Sequence, residues 1–260
     1  MNTKSFIAIC ATVVLASCST PQNFNYLQDL ENGQQTAITV DGHIRLQPND
    51  QITVIVKSKD PQLSNLFNKS LATQISQGTT AGSQYIAPYT VSPQGTIEIP
   101  VVGEIQISGM TRYEAEQAIK RELQKELLKD ANVTVELHNM TYTVTGEVKA
   151  PGVYKIEKDQ LTLMEALGKA GDLSQYGKRD SVMVVRTEGN MQKTYILSLN
   201  SAKDLFGSEA YYIHQNDIIY VKANDVRARQ STANGNETRS ISFWLSIVSV
   251  LTTVAVLVFK

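Results

Sequence analysis

The strongest constraint on this 260-residue chain is the placement of its apolar residues, which form two uncharged runs at the ends. The first run covers residues 6–16 and follows a single positive charge at Lys4. This pattern is typical of a secretory signal peptide, and the run is too short to span a bilayer. The second run covers residues 241–259 and is bracketed by Arg239 and Lys260. At 1.5 Å per residue it would reach about 28 Å as a helix, so it predicts a transmembrane helix.

The first run ends in Leu15-Ala16-Ser17-Cys18, which resembles the lipobox of bacterial lipoproteins. In such a sequence Cys18 becomes the first residue of the mature chain and is acylated, typically with palmitate among its lipids. The alternative is an ordinary signal peptide that ends near a cysteine. Cys10, the other cysteine, lies in the removed segment, so the mature chain has no partner for an internal disulfide. By resemblance to enteric lipoprotein sorting, the non-acidic Ser19 favours the outer membrane.

Hydroxyl side chains lie along one side of the predicted C-terminal helix. At 100° per residue, Ser242, Ser246, Ser249 and Thr253 fall within about 60° of one another. The stripe fits a packing face between helices, and it equally fits the wall of a wet lumen inside a ring of helices. The sequence does not choose between these two interpretations. Trp244 lies near one end of the run, where an indole ring favours the membrane interface.

The composition limits the class of protein. The chain is 42% hydrophobic and 19% charged, which is too apolar for a disordered chain and too charged for a polytopic membrane protein. Its length fits one or two domains. With 24 basic and 25 acidic residues the net charge is −1, so no nucleic-acid partner is expected.

The middle of the chain predicts an α+β fold. A hairpin is expected at 38–46, since Asp41-Gly42 suits a two-residue turn, and a strand at 52–56. Thr111 and Glu114 form a capping box that begins a helix, which a half-buried strand at 133–137 follows. The buried face of that helix is predicted to contain Ala115, Ala118, Ile119, Leu123 and Leu127.

A second unit begins near residue 139. Two strands with a tight turn at Ala150-Pro151-Gly152 lead to a short helix that Thr162 and Glu165 cap. Further strands are expected at 182–186, 194–199 and up to Val221. This order is expected of a small β-grasp domain.

Two turns in the sequence echo each other. Asn49-Asp50 and Asn216-Asp217 both precede a strand. Asn tolerates left-handed backbone, and Asp can bond its own following backbone. Ordinary turn chemistry explains this echo as well as an internal duplication does.

The sequence contains no catalytic constellation. His43, His138 and His214 are scattered and have no partners at metal-ligand spacing, so no metal or cofactor is expected. Glu98 and Glu104 could form a glycosidase pair, but solvated faces of strands are the simpler interpretation. The sequence is therefore not interpreted as that of an enzyme.

Taken in order, several segments resemble the outer-membrane polysaccharide export lipoproteins. After the lipobox at Cys18 they are PNDQI at 48–52, VSPQGTIEIPVVG at 91–103, VTGEVKAPGVY at 144–154, LMEALGKAG at 163–171 and NDIIYV at 216–221. Asn49 and Asp172 stand where that family usually has glycine, and Asn can replace glycine at positive φ.

The resemblance implies a division of the chain. The expected segments are a signal peptide (1–17), a tether (18–37), a polysaccharide export domain (38–138), a soluble-ligand-binding β-grasp domain (139–222), a linker (223–240) and a transmembrane helix (241–259).

The resemblance also implies a function. Copies would form a ring, for instance an octamer, with soluble domains in the periplasm and tails that form an outer-membrane pore. The expected partners are polysaccharide, membrane lipid and an inner-membrane co-polymerase that is often associated with a tyrosine kinase. The alternative is a membrane-tethered glycan-binding or scaffolding lipoprotein without a pore. Removal of residues 241–260 separates the two hypotheses.

Overall fold

The computed structural model describes residues 24–38, 40–68, 70–71, 85–126, 128–232, 235 and 240–258. The elements of the first unit are β1 (Gln51–Lys57), α1 (Pro61–Phe67), β2 (Ser70–Leu71), β3 (Tyr85–Ile86), β4 (Tyr89–Thr90), β5 (Thr96–Ile99), β6 (Gly103–Gln106), α2 (Arg112–Glu126) and β7 (Asn132–Leu137). Strands β4, β1 and β7 form an antiparallel sheet in that order, and β5 and β6 form a separate hairpin.

Local sequence signals set the ends and the buried face of α2. The Thr111 hydroxyl accepts from the Glu114 N–H at 3.2 Å, and the Glu114 carboxylate accepts from the Thr111 N–H at 2.8 Å. The predicted capping box is therefore confirmed. The buried face is confirmed for Ala115, Ala118, Ile119 and Leu123, whereas Leu127 lies outside the described residues.

The hairpin predicted at residues 38–46 is wrong. Arg45 forms an isolated bridge with Thr111, and the Leu46 N–H donates to the Met110 carbonyl at 2.9 Å. The physical reason is that a type I′ turn needs a positive φ at both central residues, and neither Asp41 nor Gly42 has one. The segment consequently pairs with the chain that precedes α2 and not with itself.

The second unit is built on a five-stranded sheet. Its elements are β8 (Thr141–Gly146), β9 (Gly152–Lys155), α3 (Leu163–Lys169), β10 (Gly177–Glu188), β11 (Met191–Leu197), α4 (Ala202–Phe206) and β12 (Ile218–Ala223). The strand order is β11-β10-β12-β8-β9, and β12 runs parallel to β8. Thr162 and Glu165 form the predicted capping box on α3. A mixed sheet that packs one face against a short helix is the expected β-grasp arrangement.

One apolar cluster joins the two units. Ile52 and Ile119 of the first unit and Tyr142 and Leu163 of the second are all at most 1% exposed and belong to the same cluster. Burial of apolar surface is the dominant favourable term in folding, and this shared cluster supplies it to both units.

The two Asn-Asp turns have the same geometry. Asn49 and Asn216 have φ of 73° and 63°, in the left-handed region that the sequence predicts for Asn. The Asp50 carboxylate accepts from the Gln47 N–H at 2.7 Å, and the Asp217 carboxylate accepts from the His214 N–H at 2.8 Å. Each aspartate side chain thus closes the turn in front of its own strand.

Two helices follow β12. Helix α5 (Asp225–Gln230) begins at an Asn224 cap, inside the stretch expected to be a linker. Helix α6 (Ile241–Val258) occupies the C-terminal apolar run. Within the described ranges, no helix is both long enough and apolar enough to cross a membrane. The transmembrane helix predicted at 241–259 is therefore not supported.

The N-terminal segment expected to be a tether lies against the second unit. We call residues 24–29 the strap. The Leu27 and Gln28 N–H groups donate to the Leu199 and Asn200 carbonyls at 2.9 and 2.7 Å. The Asp29 carboxylate accepts from the Ala202 N–H at 2.6 Å, at the beginning of α4.

Two aromatic side chains hold the strap in place. The Arg179 guanidinium lies 4.1 Å from the centroid of the Phe24 ring and 5.5 Å from that of Tyr26. The Tyr26 hydroxyl donates to Asp172 at 2.5 Å. Burial, followed by the bond to Asp172, raises the pKa of Tyr26 well above its ordinary value, so this hydroxyl remains a donor at physiological pH.

We expect the double substitution Phe24→Ala and Tyr26→Ala to release the strap. It removes two cation–π contacts and one hydrogen bond, each of which contributes on the order of 0.5–2 kcal/mol. Limited proteolysis should then cut between residues 24 and 38 at least tenfold faster than in the unsubstituted protein. Tyr113→Ala is the matched control, because that tyrosine is 66% exposed and lies outside the strap. Equal cleavage rates in all three proteins would contradict a docked strap.

Candidate functional site

A polar groove runs along the junction of the two units, on both sides of one ion pair. Arg112, the first residue of α2, binds Asp159 in the loop before α3. The Nε–Oδ1 and Nη2–Oδ2 distances are 2.6 and 2.7 Å, which is the two-point geometry that guanidinium and carboxylate groups favour. The Asp159 carbonyl also accepts from the Ile44 N–H at 3.0 Å. Because Arg112 donates to it, the pKa of Asp159 is lowered and the carboxylate is ionised at neutral pH.

Charged residues of both signs line the first side of the groove. A cavity of about 410 Å³ is bordered by Arg112, Glu136, His138, Lys155, Glu157 and Asp159, with Leu137, Met140 and Ile156 at its base. Pairs of carboxylates and cations can exchange hydrogen bonds with many hydroxyl groups. This side therefore suits a hydrated, hydroxyl-rich ligand better than an apolar one.

The other side of the groove contains an exposed aromatic ring. A cavity of about 380 Å³ is bordered by His43, Arg45, Arg112, Tyr113, Glu114 and Asp159, among others. A neighbouring cavity of about 520 Å³ shares Arg45, Tyr113 and Glu114 and continues to Arg121. A ring beside charged hydrogen-bonding groups offers an apolar face and polar edges in one place.

A chain of contacts fixes the charged side chains around Tyr113. Asp41 accepts from the His43 N–H at 3.1 Å, from the His43 ring at 2.7 Å and from Arg45 at 2.9 Å. The bond from the His43 N–H, followed by the other two, lowers the pKa of Asp41 far below its ordinary value. Arg45 also donates to the Gly109 carbonyl at 2.9 Å and lies 3.6 Å from Glu114. The Gln160 amide lies 3.2 Å from the His43 Nε2. These contacts hold the charged side chains in place beside Tyr113.

The structure separates the three histidines. His43 and His138 border opposite sides of the groove. His214 is in the second Asn-Asp turn, where burial and then the Arg186 charge lower its pKa. In the part of the chain that the structure describes, no group of three metal-ligating side chains is present.

The carboxylate pair considered for glycosidase chemistry lies on the β5–β6 hairpin. Glu98 and Glu104 are directly opposite each other in the register and are both exposed. Neither residue borders the groove cavities. The interpretation as solvated strand faces therefore agrees with their placement.

The residues predicted to contact the membrane are Cys18 near the N-terminus and a set in the C-terminal helix α6. Cys18 lies outside the described residues. All four hydroxyl residues of the predicted stripe lie in α6, together with Trp244, whose ring is 5.9 Å from that of Phe243. Ser246 and Thr253 donate to helix carbonyls at 2.7 and 2.8 Å, which satisfies their hydroxyl donors within the helix. The role of this stripe stays a prediction.

The groove was not anticipated from the sequence. Arg112 and Asp159 are 47 residues apart, and each resembles an ordinary surface charge in its own segment. The only local signal is the position of Arg112 and Tyr113 directly after the Thr111 cap, which exposes both at the start of a helix.

The fold and the groove define a two-unit protein in which an α+β unit precedes a β-grasp unit. Two family models match this chain. The model described as polysaccharide biosynthesis/export protein matches residues 39–138, and the model described as SLBB domain matches residues 141–221. The chain belongs to the polysaccharide export protein family.

Relatives from two bacterial genera are similar to this chain. The EPS I polysaccharide export outer membrane protein EpsA of Ralstonia solanacearum is 25% identical over 66% of this chain and 54% of its own length. EpsA of Ralstonia nicotianae is 29% identical over 50% of this chain and 35% of its own length. The exopolysaccharide production protein ExoF of Rhizobium meliloti is 35% identical over 33% of this chain and 21% of its own length. The chain thus spans about half or less of these relatives.

Proposed function

We propose that this chain is a lipoprotein subunit of an outer-membrane apparatus that exports capsular or extracellular polysaccharide. The observation that carries the proposal is the match of an export model and an SLBB model, side by side, over 39–221. Two of the relatives are themselves named export outer membrane proteins, which supports the location. On this proposal the chain is a passive conduit that performs no catalysis. An inner-membrane co-polymerase, with or without a tyrosine kinase, delivers the polymer.

We propose that copies of the chain form a ring around the path of the polymer. Helix α6 supports association, because large apolar side chains on several of its sides are exposed: Leu245, Val248, Leu251, Val254 and Leu257 are 52–74% exposed. An isolated helix of this kind is unfavourable in water and requires an apolar surrounding. Lipid and neighbouring copies of α6 supply that surrounding in a membrane-associated ring.

The strap supports a defined orientation. Acylated Cys18 would be only six residues before Phe24, a reach of at most about 20 Å. Because the strap lies on the second unit, the second unit is held close to the membrane surface. Helix α6 also follows the second unit in the chain, which gives the same orientation. The first unit then points away from the outer membrane toward the polymer source.

The groove supplies a surface that a hydrated polymer can contact. Its ionised pairs exchange hydrogen bonds with sugar hydroxyls, and Tyr113 offers a ring face for the C–H side of a sugar. None of these contacts is deeply enclosed, so binding would be weak and repeated. Weak contacts suit a conduit, because a polymer held tightly would not move.

Export can be tested by complementation of a strain that lacks this gene. The full chain should restore polymer at the cell surface, whereas a chain without residues 241–260 should restore none. Cys18→Ser should release the protein from the membrane fraction and reduce export strongly. Immunoblots must show that all three proteins accumulate equally, so that loss of export is not loss of protein. Normal export by the truncated chain would contradict the conduit and support the glycan-binding scaffold.

A further inference from the structure

The outer face of the five-stranded sheet is uncharged over two neighbouring rows of side chains. The register aligns Val153, Thr143, Ile218, Val185 and Thr194 in one row and Thr145, Tyr220, Met183 and Ile196 in the next. We call these nine residues the sheet patch. Val153 and Ile196 are 68% and 63% exposed, and Tyr220 and Ile218 are 41% and 40% exposed.

This composition is unusual for a sheet face in contact with water. An exposed sheet face normally carries polar side chains that alternate with the buried ones. A contiguous exposed patch of apolar and threonine side chains marks an interaction surface. Lys155 on β9 and Lys222 on β12 project from the same face, two residues beyond Val153 and Tyr220, so the patch has a basic residue toward each end.

The β5–β6 hairpin of the first unit complements the sheet patch, because it has an apolar tip with acidic residues behind it. Its tip residue Val101 is 65% exposed and has a φ of 69°, which is strained for a β-branched residue. Glu98 and Glu104 lie opposite each other three residues behind the tip, and like charges in that position destabilise a hairpin. Neither feature contributes to the stability of a single copy.

We propose that the β5–β6 hairpin of one copy docks on the sheet patch of the next copy and that this contact builds the ring. Val101 lies over the apolar rows, and the glutamates lie about 10 Å behind it, at three residues of about 3.3 Å each. Lys155 and Lys222 each lie two residues, about 7 Å, beyond the nearer row along their own strands. A hairpin aligned with the strands therefore places its carboxylates toward an end of the patch that carries a lysine. The proposal rests on the ring form of the proposed function.

The two surfaces are different parts of the chain, so the contact is head to tail. A head-to-tail contact generates a ring when the rotation between copies closes. Burial of Val101 against the patch and pairing of the glutamates with lysine offset the strain and the like-charge repulsion of the free hairpin.

Charge reversal tests this contact in the full chain extracted from membranes with detergent. Glu98→Lys with Glu104→Lys should dissociate the oligomer, with at least a tenfold weaker association, and Lys155→Glu with Lys222→Glu should do the same. All four substitutions together should restore assembly in the native mass measurement. Lys57→Glu with Lys59→Glu is the charge-matched control on exposed residues outside both surfaces, and it should assemble normally.

A cysteine pair gives a second, independent readout. Val101→Cys with Ile218→Cys should cross-link copies into a ladder beyond the dimer, and either substitution alone should not. The head-to-tail contact would be overturned if the wild type assembled and no charge reversal changed its mass, or if the ladder stopped at the dimer. Either result would leave the proposed export function intact. A monomeric wild type that also fails to restore export would overturn the contact and the proposed function together.

Discussion

Arg186→Ala should destabilise the protein by about 3–5 kcal/mol, because it leaves an unpaired charge in the core. The Arg186 and Asp217 side chains are 6% and 0% exposed, and the Nη2–Oδ2 and Nε–Oδ1 distances are 2.7 and 3.0 Å. Arg186 also donates to the Tyr212 carbonyl at 2.8 Å and to the Glu209 carbonyl at 3.3 Å. Its removal therefore leaves three acceptors before or at the start of β12 without their donor: the Asp217 carboxylate and the Glu209 and Tyr212 carbonyls.

The chain contains a matched control for this prediction. Arg112 binds Asp159 with the same two-point geometry, but those side chains are 38% and 45% exposed. Because water screens this pair, Arg112→Ala should reduce the free energy of unfolding by only about 0.2–1 kcal/mol. Urea unfolding followed by circular dichroism compares the two variants, and equal losses would show that burial does not set the strength of the Arg186 pair.

The Arg186→Ala variant also has a spectroscopic readout, the pKa of His214. Burial and the Arg186 charge lower the pKa of His214, so removal of that charge should raise it. In the unsubstituted protein, a His pKa below its ordinary 6.5 adds stability that is present above pH 6.5 and is lost as the pH falls from there toward the folded-state pKa. A titration of His214 by NMR that is unchanged in the variant would argue against the proximity of the two groups.

Gly146→Ala should destabilise the protein by about 2–6 kcal/mol, the sum of backbone strain and overpacking. Gly146 has a φ of 90° at the end of β8, where it pairs with Val221 of the parallel strand β12. A Cβ added there would lie 2.1 Å from the Val221 carbonyl oxygen. That oxygen accepts from the Glu147 N–H at 3.0 Å, so the two central strands must separate.

Gly168→Ala is the control for the glycine prediction. Gly168 lies within α3, and a Cβ added there meets nothing within 4 Å. Alanine is the better helix former, so this substitution should add about 0.5–1 kcal/mol to the free energy of unfolding. Thermal unfolding should show opposite shifts for the two variants. A loss at Gly168 as large as that at Gly146 would mean that glycine content and not the close approach of β8 and β12 explains the result.

Elements whose signals lie within a few residues were predictable from the sequence. The capping boxes at Thr111 and Thr162 and the left-handed turns at Asn49 and Asn216 are where the residue types place them. Asp172, where the resemblance also implies glycine, has a positive φ of 70°. These features follow from bonds between residues two to four positions apart, so no distant part of the chain is needed to form them.

Features that join distant segments could not be predicted in this way. The Asp41-Gly42 pair suggested a hairpin, but Arg45 bridges Thr111 instead. The polar composition of the strap suggested a free tether, but Phe24 and Tyr26 bind residues about 150 positions later in the chain. Neither segment contains a signal for its partner, because the surface that it contacts forms only when the core is folded.

The sequence by itself determined the order of the two units, their α+β character and the helical C-terminal run, because period, capping and turn chemistry act locally. Only the tertiary structure decided that the strap docks, that Arg112 meets Asp159 at the groove, and that two rows of the outer sheet face are left uncharged. The physical reason is that burial and ion pairing depend on which surfaces come into contact. Those contacts are set by packing between segments far apart in the sequence and not by any single segment.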